Sequence, residues 1–449
     1  MKIIIVGDGK MGFYLSQRLS GEGHDIVIID NDPAVLRLSS NTQDVACLCG
    51  SGIDSDVQKE AGVETADLLI AATSQDEVNI ICCLIAKKLG ARHTIARVRS
   101  PEYSKTLLFM REELGLSLSV NPEMAAAAEI ARILRFPTAM KVEIFAKGKV
   151  ELVELRVAEG SPLAGRALRD LTGAMRVLVC AVQRDGRVII PDGDFVLNEN
   201  DQIGITGAPA EISQFFRNCG LLAQRTRDVL IVGGGKTSFY LTRILGEMGM
   251  RVKILELDPA RCEELSEALP RAMVICGDGS DREILQEEGI DDTDALVALT
   301  GLDEENVVIS MYALSQKVGK VITKINHISF GEILEKAGIE CVITPHIIAA
   351  NYILRYVRAM QNSIGSRMDA LSHIFNDQAE ALEFHVDGKF EGANIPLRDL
   401  KLKKGLLIAC LIRENRLVFP RGSDCIRPRD SVIVITTKTG LDGLDDILA

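Results

Sequence analysis

Two glycine turns carry the residue types and spacing in this chain that point to chemistry. The first follows the apolar run Ile3-Ile4-Ile5-Val6 and reads Gly7-Asp8-Gly9-Lys10-Met11-Gly12. The second, in the other half of the chain, follows Val229-Leu230-Ile231-Val232 and reads Gly233-Gly234-Gly235-Lys236-Thr237-Ser238. A buried strand that feeds a glycine turn and opens a helix aims backbone N–H groups and the positive helix end at an anion such as pyrophosphate. One such motif is weak evidence. Two, each with an acid at the same later position, are strong. Asp30 and Glu256 each close an apolar run, and Asp30 stands as far past Gly7 as Glu256 stands past Gly233. A carboxylate there accepts hydrogen bonds from a ribose, and facing the rim it would repel a 2′-phosphate. That favours NAD(H) or an adenine nucleotide (ATP or ADP) and disfavours NADP.

Two later strand ends add candidates. Thr73 and Ser74 follow the run Leu68 to Ala72, where they either donate to phosphate or ribose or cap the next helix. Arg97 and Arg99 are two apart on a strand and share a face, which suits phosphate contact or a surface ion pair. The second copy keeps a cation at Lys324 but has Asn326 in place of Arg99. It also has Ser238 where the third glycine, a packing glycine, should stand. The two sites are therefore not equivalent.

The elements that must hold these residues repeat as well. Gly50-Ser51-Gly52 matches Gly277-Asp278-Gly279, and helices are expected from near Asp54 and Asp281 to before Gly62 and Gly289. Thr73-Ser74-Gln75-Asp76-Glu77-Val78-Asn79 and Thr300-Gly301-Leu302-Asp303-Glu304-Glu305-Asn306 keep Thr, Asp, Glu and Asn in register. Short apolar runs alternating with helix-length stretches predict a doubly wound parallel sheet, Rossmann-like, in each half. Right-handed crossovers then bring the strand ends to one rim. Each nucleotide lobe runs into a helix, Met124 to Leu134 and Ile347 to Met360, after Asn121-Pro122 and Thr344-Pro345. The first carries four consecutive alanines, and both read as docking surfaces.

Two smaller lobes follow. Leu168-Arg169-Asp170-Leu171 matches Leu397-Arg398-Asp399-Leu400, and Pro191-x-Gly193 matches Pro420-x-Gly422. Alternating strands and Gly, Asp and Asn turns suggest small α+β units. The expected division is 1–136 and 227–360 for the Rossmann-like domains, and 141–219 and 369–449 for the small lobes. Phe136–Lys141, Cys219–Arg227 and Gln361–Asp369 are the candidate linkers.

Composition narrows the class. At 449 residues the chain is too long for one core, since domains run to about 150 residues. Aromatics are 4% with no Trp, which fits aliphatic cores of covered parallel sheets. A net charge of −12 argues against nucleic acid as a partner. No apolar run approaches the roughly 20 residues of a membrane span. Met1-Lys2 directly before a strand leaves no room for a signal peptide. The eleven cysteines lack ligand-type spacing, so no metal site is expected and they read as reduced thiols. None of the six histidines falls at the same register in both copies, and no Ser, Cys or Lys constellation recurs. The duplication kept a binding apparatus and no visible reactive group, which favours a sensor over an enzyme with catalytic residues. The alternative is a soluble NAD-dependent oxidoreductase whose second module is degenerate.

With Lys2-Ile3-Ile4-Ile5-Val6-Gly7-x-Gly9, Ile95-Ala96-Arg97-Val98-Arg99-Ser100-Pro101-Glu102-Tyr103 and Gly277-Asp278-Gly279-Ser280, the chain resembles the TrkA family of Trk system potassium uptake proteins. The halves of that family are regulator-of-potassium-conductance (RCK) domains, and the resemblance covers essentially the whole chain. It implies NAD(H) or an adenine nucleotide against Gly7 to Met11, Asp30, Thr73, Ser74 and Arg97, and a second site at Gly233 to Thr237 with Glu256. It further implies a homotetramer in the cytoplasm, peripheral on the inner face of the membrane through a potassium transporter or channel subunit of the TrkH type.

Overall fold

The computed structural model describes residues 1–449 except 112, 137, 173–175, 222–225, 328–330, 363–367, 376–377, 389, 438–440 and 442. The chain divides into two compact units, each drawn from two stretches of sequence: 1–131 with 227–354, and 132–226 with 355–449. The candidate linkers fall partly outside the described residues, at 137, 222–225 and 363–367.

The first half begins with β1 (Lys2–Val6), α1 (Lys10–Gly21), β2 (Asp25–Asp30), α2 (Pro33–Thr42), β3 (Ala46–Cys49) and α3 (Ser55–Glu60). It continues through β4 (Leu68–Ala71), α4 (Asp76–Leu89), β5 (His93–Arg97), α5 (Pro101–Met110), β6 (Leu118–Val120) and α6 (Pro122–Arg135). The small lobe contains β7 (Ala139–Phe145), β8 (Val150–Arg156), α7 (Leu168–Thr172), β9 (Val177–Arg184), β10 (Arg187–Ile189), β11 (Gln202–Gly207) and α8 (Pro209–Asn218).

The second half repeats the order. It contains β12 (Asp228–Val232), α9 (Lys236–Glu247), β13 (Arg251–Glu256), α10 (Pro259–Ala268), β14 (Met273–Cys276) and α11 (Arg282–Glu287). Next come β15 (Ala295–Ala298), α12 (Asp303–Ser315), β16 (Lys320–Lys324), α13 (Gly331–Lys336), β17 (Cys341–Ile343) and α14 (Pro345–Asn362). The last lobe has β18 (Met368–Ile374), β19 (Ala379–His385), β20 (Leu406–Arg413), β21 (Arg416–Val418) and β22 (Ser431–Thr436).

The first unit holds two six-stranded parallel sheets, ordered β3-β2-β1-β4-β5-β6 and β14-β13-β12-β15-β16-β17. Both are the doubly wound arrangement expected from the alternation of runs. The strands read as continuous apolar stretches because helices cover both faces: Ile3, Ile4 and Ile5 are fully buried, as are Leu296 and Val297. The order reverses between β1 and β4 and between β12 and β15, which opens a crevice at the C-terminal ends of those strands. The expected short helices after the second glycine turns are present, with Asp54 and Asp281 capping their N-termini. Among the described residues no helix is long and apolar enough to cross a membrane.

The alanine faces expected to dock are buried within the chain itself. Ala126, Ala127, Ala349 and Ala350 have no exposed surface, so a large side chain there would test folding rather than assembly.

The second unit holds two five-stranded antiparallel sheets of one topology, β10-β9-β11-β8-β7 and its repeat β21-β20-β22-β19-β18. The first is flanked by α7 and α8; the second ends in a short 3-10 turn, Leu444–Ile447. One apolar cluster, with Phe145, Cys180, Phe375 and Cys410, is shared between the lobes. Across it two buried glutamates act reciprocally. Glu154 accepts from the Phe375 N–H at 3.2 Å, and Glu383 from the Ala146 N–H at 2.8 Å. Both donors lie in turns with positive φ, 51° at Ala146 and 52° at Phe375. Each lobe thus satisfies an amide of the other that no strand can pair.

Burial pushes the Glu154 carboxyl above its ordinary range, against the lowering pull of Lys141 and the Phe375 N–H, with Glu143 adding to the rise. A raised folded-state pKa contributes stability that is complete at low pH and lost as pH climbs through it. Glu154→Gln keeps an oxygen for the Phe375 N–H and cannot ionise. Its melting temperature should gain on that of wild type between about pH 5 and about pH 8, read by calorimetry. A constant difference across that range would mean Glu154 stays ionised in the fold.

Candidate functional site

At the C-terminal rim of each parallel sheet, the glycine turn leaves its strand with positive φ, 95° at Gly7 and 97° at Gly233. A Cβ at Gly7 would stand 2.9 Å from the Thr73 amide nitrogen, and one at Gly233 2.9 Å from Leu299 backbone. Only glycine fits either position. The helices that follow, α1 and α9, start at Gly9 and Gly235 with no side chain capping them. Their first N–H groups are left to face a ligand.

The acids expected at the ribose position also brace the loops. Asp30 accepts from the Asp8 N–H at 2.6 Å and from the Asp32 N–H at 2.9 Å. Glu256 accepts from the Gly234 N–H and, at 2.9 Å, from the Asp258 N–H. Each carboxylate ties the second residue of the glycine turn to the start of the next helix, while still lining the crevice.

Both rims open into one cavity of about 1100 Å³ inside the first unit. Gly7, Gly9, Lys10, Met11, Asp30, Thr73, Ser74, Arg97 and Arg99 line it from one lobe. From the other come Gly233, Gly234, Gly235, Lys236, Thr237, Glu256 and Lys324. Two candidates do not line it. Asp8 turns its buried side chain inward to accept from the Ser39 hydroxyl at 2.6 Å, and burial, with Asp30 nearby, raises its pKa despite that bond. Gly12 serves packing, since a Cβ there would lie 1.9 Å from the Gly7 carbonyl oxygen. At the matching place Ser238 donates its hydroxyl to the Gly233 carbonyl.

The strand ends are held by asparagines whose role the sequence only hinted at, through their repeated register. Asn79 accepts from the Thr73 N–H at 2.9 Å and hydroxyl at 2.7 Å, and donates to the carbonyls of Thr73 and Arg97. Asn306 does the same for the Thr300 N–H and the carbonyls of Thr300 and Lys324. The Thr73 hydroxyl is therefore engaged within the lobe, whereas Ser74 is exposed. Asp76 accepts from the Arg99 and Ser100 N–H groups, and Asp303 from those of Asn326 and His327.

The cavity gathers cations from both lobes. Arg97 donates to the Thr73 carbonyl at 3.1 Å, and its buried Nε has no partner among the described residues. Burial, then Arg99, lowers its pKa. Burial also lowers that of Lys324, which lies within the field of Lys10, Arg99 and Glu123 from the opposite lobe. Arg99 pairs with Glu123 at 2.6 Å. At the position of Glu123 the second copy has His346, whose pKa falls to about 4 through burial and then Lys10 and Arg97. It is neutral near pH 7. Glu123 and His346 were not among the sequence candidates, although both follow the proline of a repeated x-Pro helix start. The lobes are stitched beside this pair: Asn121 donates to the Tyr240 hydroxyl at 2.9 Å, which donates to the Arg99 carbonyl at 3.1 Å.

A model of the TrkA-N domain matches residues 3–122 and 229–345, and one of the TrkA-C domain matches 152–220. The chain belongs to the TrkA family. Trk system potassium uptake protein TrkA homolog 2 of Methanosarcina mazei is 31% identical over the full length of both chains. Among solved structures, the GsuK RCK domain aligns with a TM-score of 0.63 at 18% identity, over 97% of this chain and 92% of that one. The GsuK channel bound to NAD aligns at 0.63 and 17%, over 97% and 76%. These structural likenesses are of fold, and they match the TrkA pattern of two parallel-sheet lobes, each with an antiparallel partner.

Replacing Asn79 by Ala orphans buried backbone groups at two strand ends, each costing about 1–3 kcal/mol. Asn79→Ala should lower the thermal midpoint of the first unit by several degrees in calorimetry, with Asn79→Asp, which sets a carboxylate oxygen against the Thr73 and Arg97 carbonyls, falling at least as far at neutral pH. A midpoint equal to wild type would show that the clasp does not hold the rim.

Proposed function

We propose that this chain is the nucleotide-sensing regulatory subunit of a Trk-type potassium uptake system, acting in the cytoplasm through a membrane-embedded potassium subunit of the TrkH type. Membership of the TrkA family supports the setting, and the shared cavity supports the mechanism. The observation that carries the reading is that one cavity receives both uncapped glycine turns together with cations from both lobes. A ligand bound to either rim then feels the other.

The ligand class follows from the rim chemistry. Carboxylates at Asp30 and Glu256 suit ribose hydroxyls and oppose a 2′-phosphate, so NAD(H), ATP and ADP fit and NADP does not. The phosphates would rest against the N-termini of α1 and α9, with Lys10, Arg97 and Lys324 supplying positive charge. Nucleotides with different phosphate charge would favour different spacings of the two lobes. That difference in affinity is the free energy available to bias a pore. Four copies of the chain would supply eight such lobes, and four lobes per chain, at 1–136, 141–219, 227–360 and 369–449, are the division this assembly uses.

The deciding experiment is potassium flux in vesicles carrying the transporter subunit, with and without this chain and with NADH, NAD, ATP or ADP inside. Flux should depend on the chain and change between at least two of these nucleotides. Flux indifferent to all four would leave a scaffold, not a sensor.

A further inference from the structure

The second nucleotide lobe carries a pair of thiols whose counterpart the first lobe lacks. Cys262 lies in the first turn of α10 and is buried, whereas Cys276 ends β14 and is exposed. Their sulfurs sit on consecutive carbonyls: Cys262 Sγ donates to the Glu256 carbonyl at 3.4 Å, and Cys276 Sγ to that of Leu257 at 4.0 Å. Strand pairing sets Cys276 directly beside Glu256. The two thiols thus stand against adjacent carbonyls, close enough for Cys276 to raise the pKa of Cys262. In the first lobe Cys49 occupies the place of Cys276, exposed and on the Asn31 carbonyl at 3.9 Å, but the buried Leu36 stands where Cys262 would be.

We infer that Cys262 and Cys276 form an intramolecular disulfide when the protein meets a low-molecular-weight disulfide of the glutathione type. The exposed Cys276, as thiolate, attacks one sulfur of that disulfide; a mixed disulfide forms and the first small thiol leaves. Cys262, as thiolate, then attacks the Cys276 sulfur, forming the internal S–S bond and expelling the second small thiol. The two cysteines lose two electrons, the small disulfide gains them, and the two cysteine protons end on the two released thiols. Burial is the main cause that raises the Cys262 thiol to about 11, with Cys276, Glu256 and Asp258 adding to it. This makes Cys262 slow to react with solvent oxidants and suited to the second, proximity-driven step.

The bond would join α10 to β14 beneath Glu256, the acid that braces the second glycine turn. Any consequence for nucleotide affinity at that rim rests on the proposed function; the thiol chemistry does not.

The test is treatment of the folded full chain with oxidised glutathione, followed by peptide mapping without reduction. The expected product links the peptides of Cys262 and Cys276 and has lost two hydrogens. Cys262→Ala, which removes the resolving thiol and adds no bulk, should instead accumulate the glutathione adduct on Cys276. Cys276→Ser should leave Cys262 reduced. Wild type that stops at the adduct on Cys276, or in which both thiols stay reduced under conditions that modify the exposed Cys49, would overturn the proposal. Hydrogen exchange gives an independent readout: the amides of α10 should exchange more slowly in the linked protein, and unchanged exchange would count against a bond in the native fold.

Discussion

Everything at the candidate site depends on one interaction, the carboxylate of the second strand closing on the glycine turn of the first. A turn that leaves a strand end at positive φ and is built largely of glycine has little of its own to fix it. Asp30 and Glu256 supply the fixing by accepting one N–H from the turn and another at the entry to the next helix. The turn then holds its remaining N–H groups, and the helix N-terminus behind it, toward the cavity. Because these acids also line that cavity, a ribose hydroxyl that reaches them would add to a network already tied to the phosphate side. Sugar recognition and phosphate recognition would then be coupled through a single side chain.

Duplication built the cavity, and divergence gave it two different sides. Both copies keep the brace, the asparagine clasp and the acid that caps the next strand's exit. They differ where charge meets the centre. The first lobe brings an ion pair, Arg99 with Glu123; the second brings Asn326 and a neutral His346. A symmetric pair of lobes would treat two identical ligands alike. This pair places a compensated charge opposite an uncharged ring, so equal binding at the two rims is not expected. The antiparallel lobes kept a stricter symmetry, because their reciprocal glutamates each satisfy a backbone amide of the other lobe.

Much of this was legible in the sequence because it rests on backbone geometry. Glycine turns, apolar runs and the acid that closes the second run are local signatures, and the common rim of strand ends follows from crossover handedness. Side-chain direction was less legible. Asp8 looked like a rim residue, but the turn carries its side chain back toward Ser39, a partner on the next helix but one. Gly12, the packing glycine of the motif, does not line the cavity, and its hydrogen is needed for α1 to pass the Gly7 carbonyl. The alanine stretch suggested an intermolecular face, and its small side chains are used inside the chain. Glu123 and His346 were invisible as candidates, since one is acidic and the other unlike it; Glu123 joins the site through Arg99 of its own lobe, and His346 through the field of Lys10 and Arg97 from the other.

The most direct test of the central interaction is titration calorimetry of the full chain with ADP and with NADH, comparing wild type, Asp30→Ala and Glu256→Ala. Removing a carboxylate that braces the turn and would meet the ribose should cost about 1.5–3 kcal/mol, a roughly 10- to 150-fold weakening. The loss should be confined to the first rim for Asp30→Ala and to the second for Glu256→Ala. Binding of unchanged affinity in both variants would contradict the account.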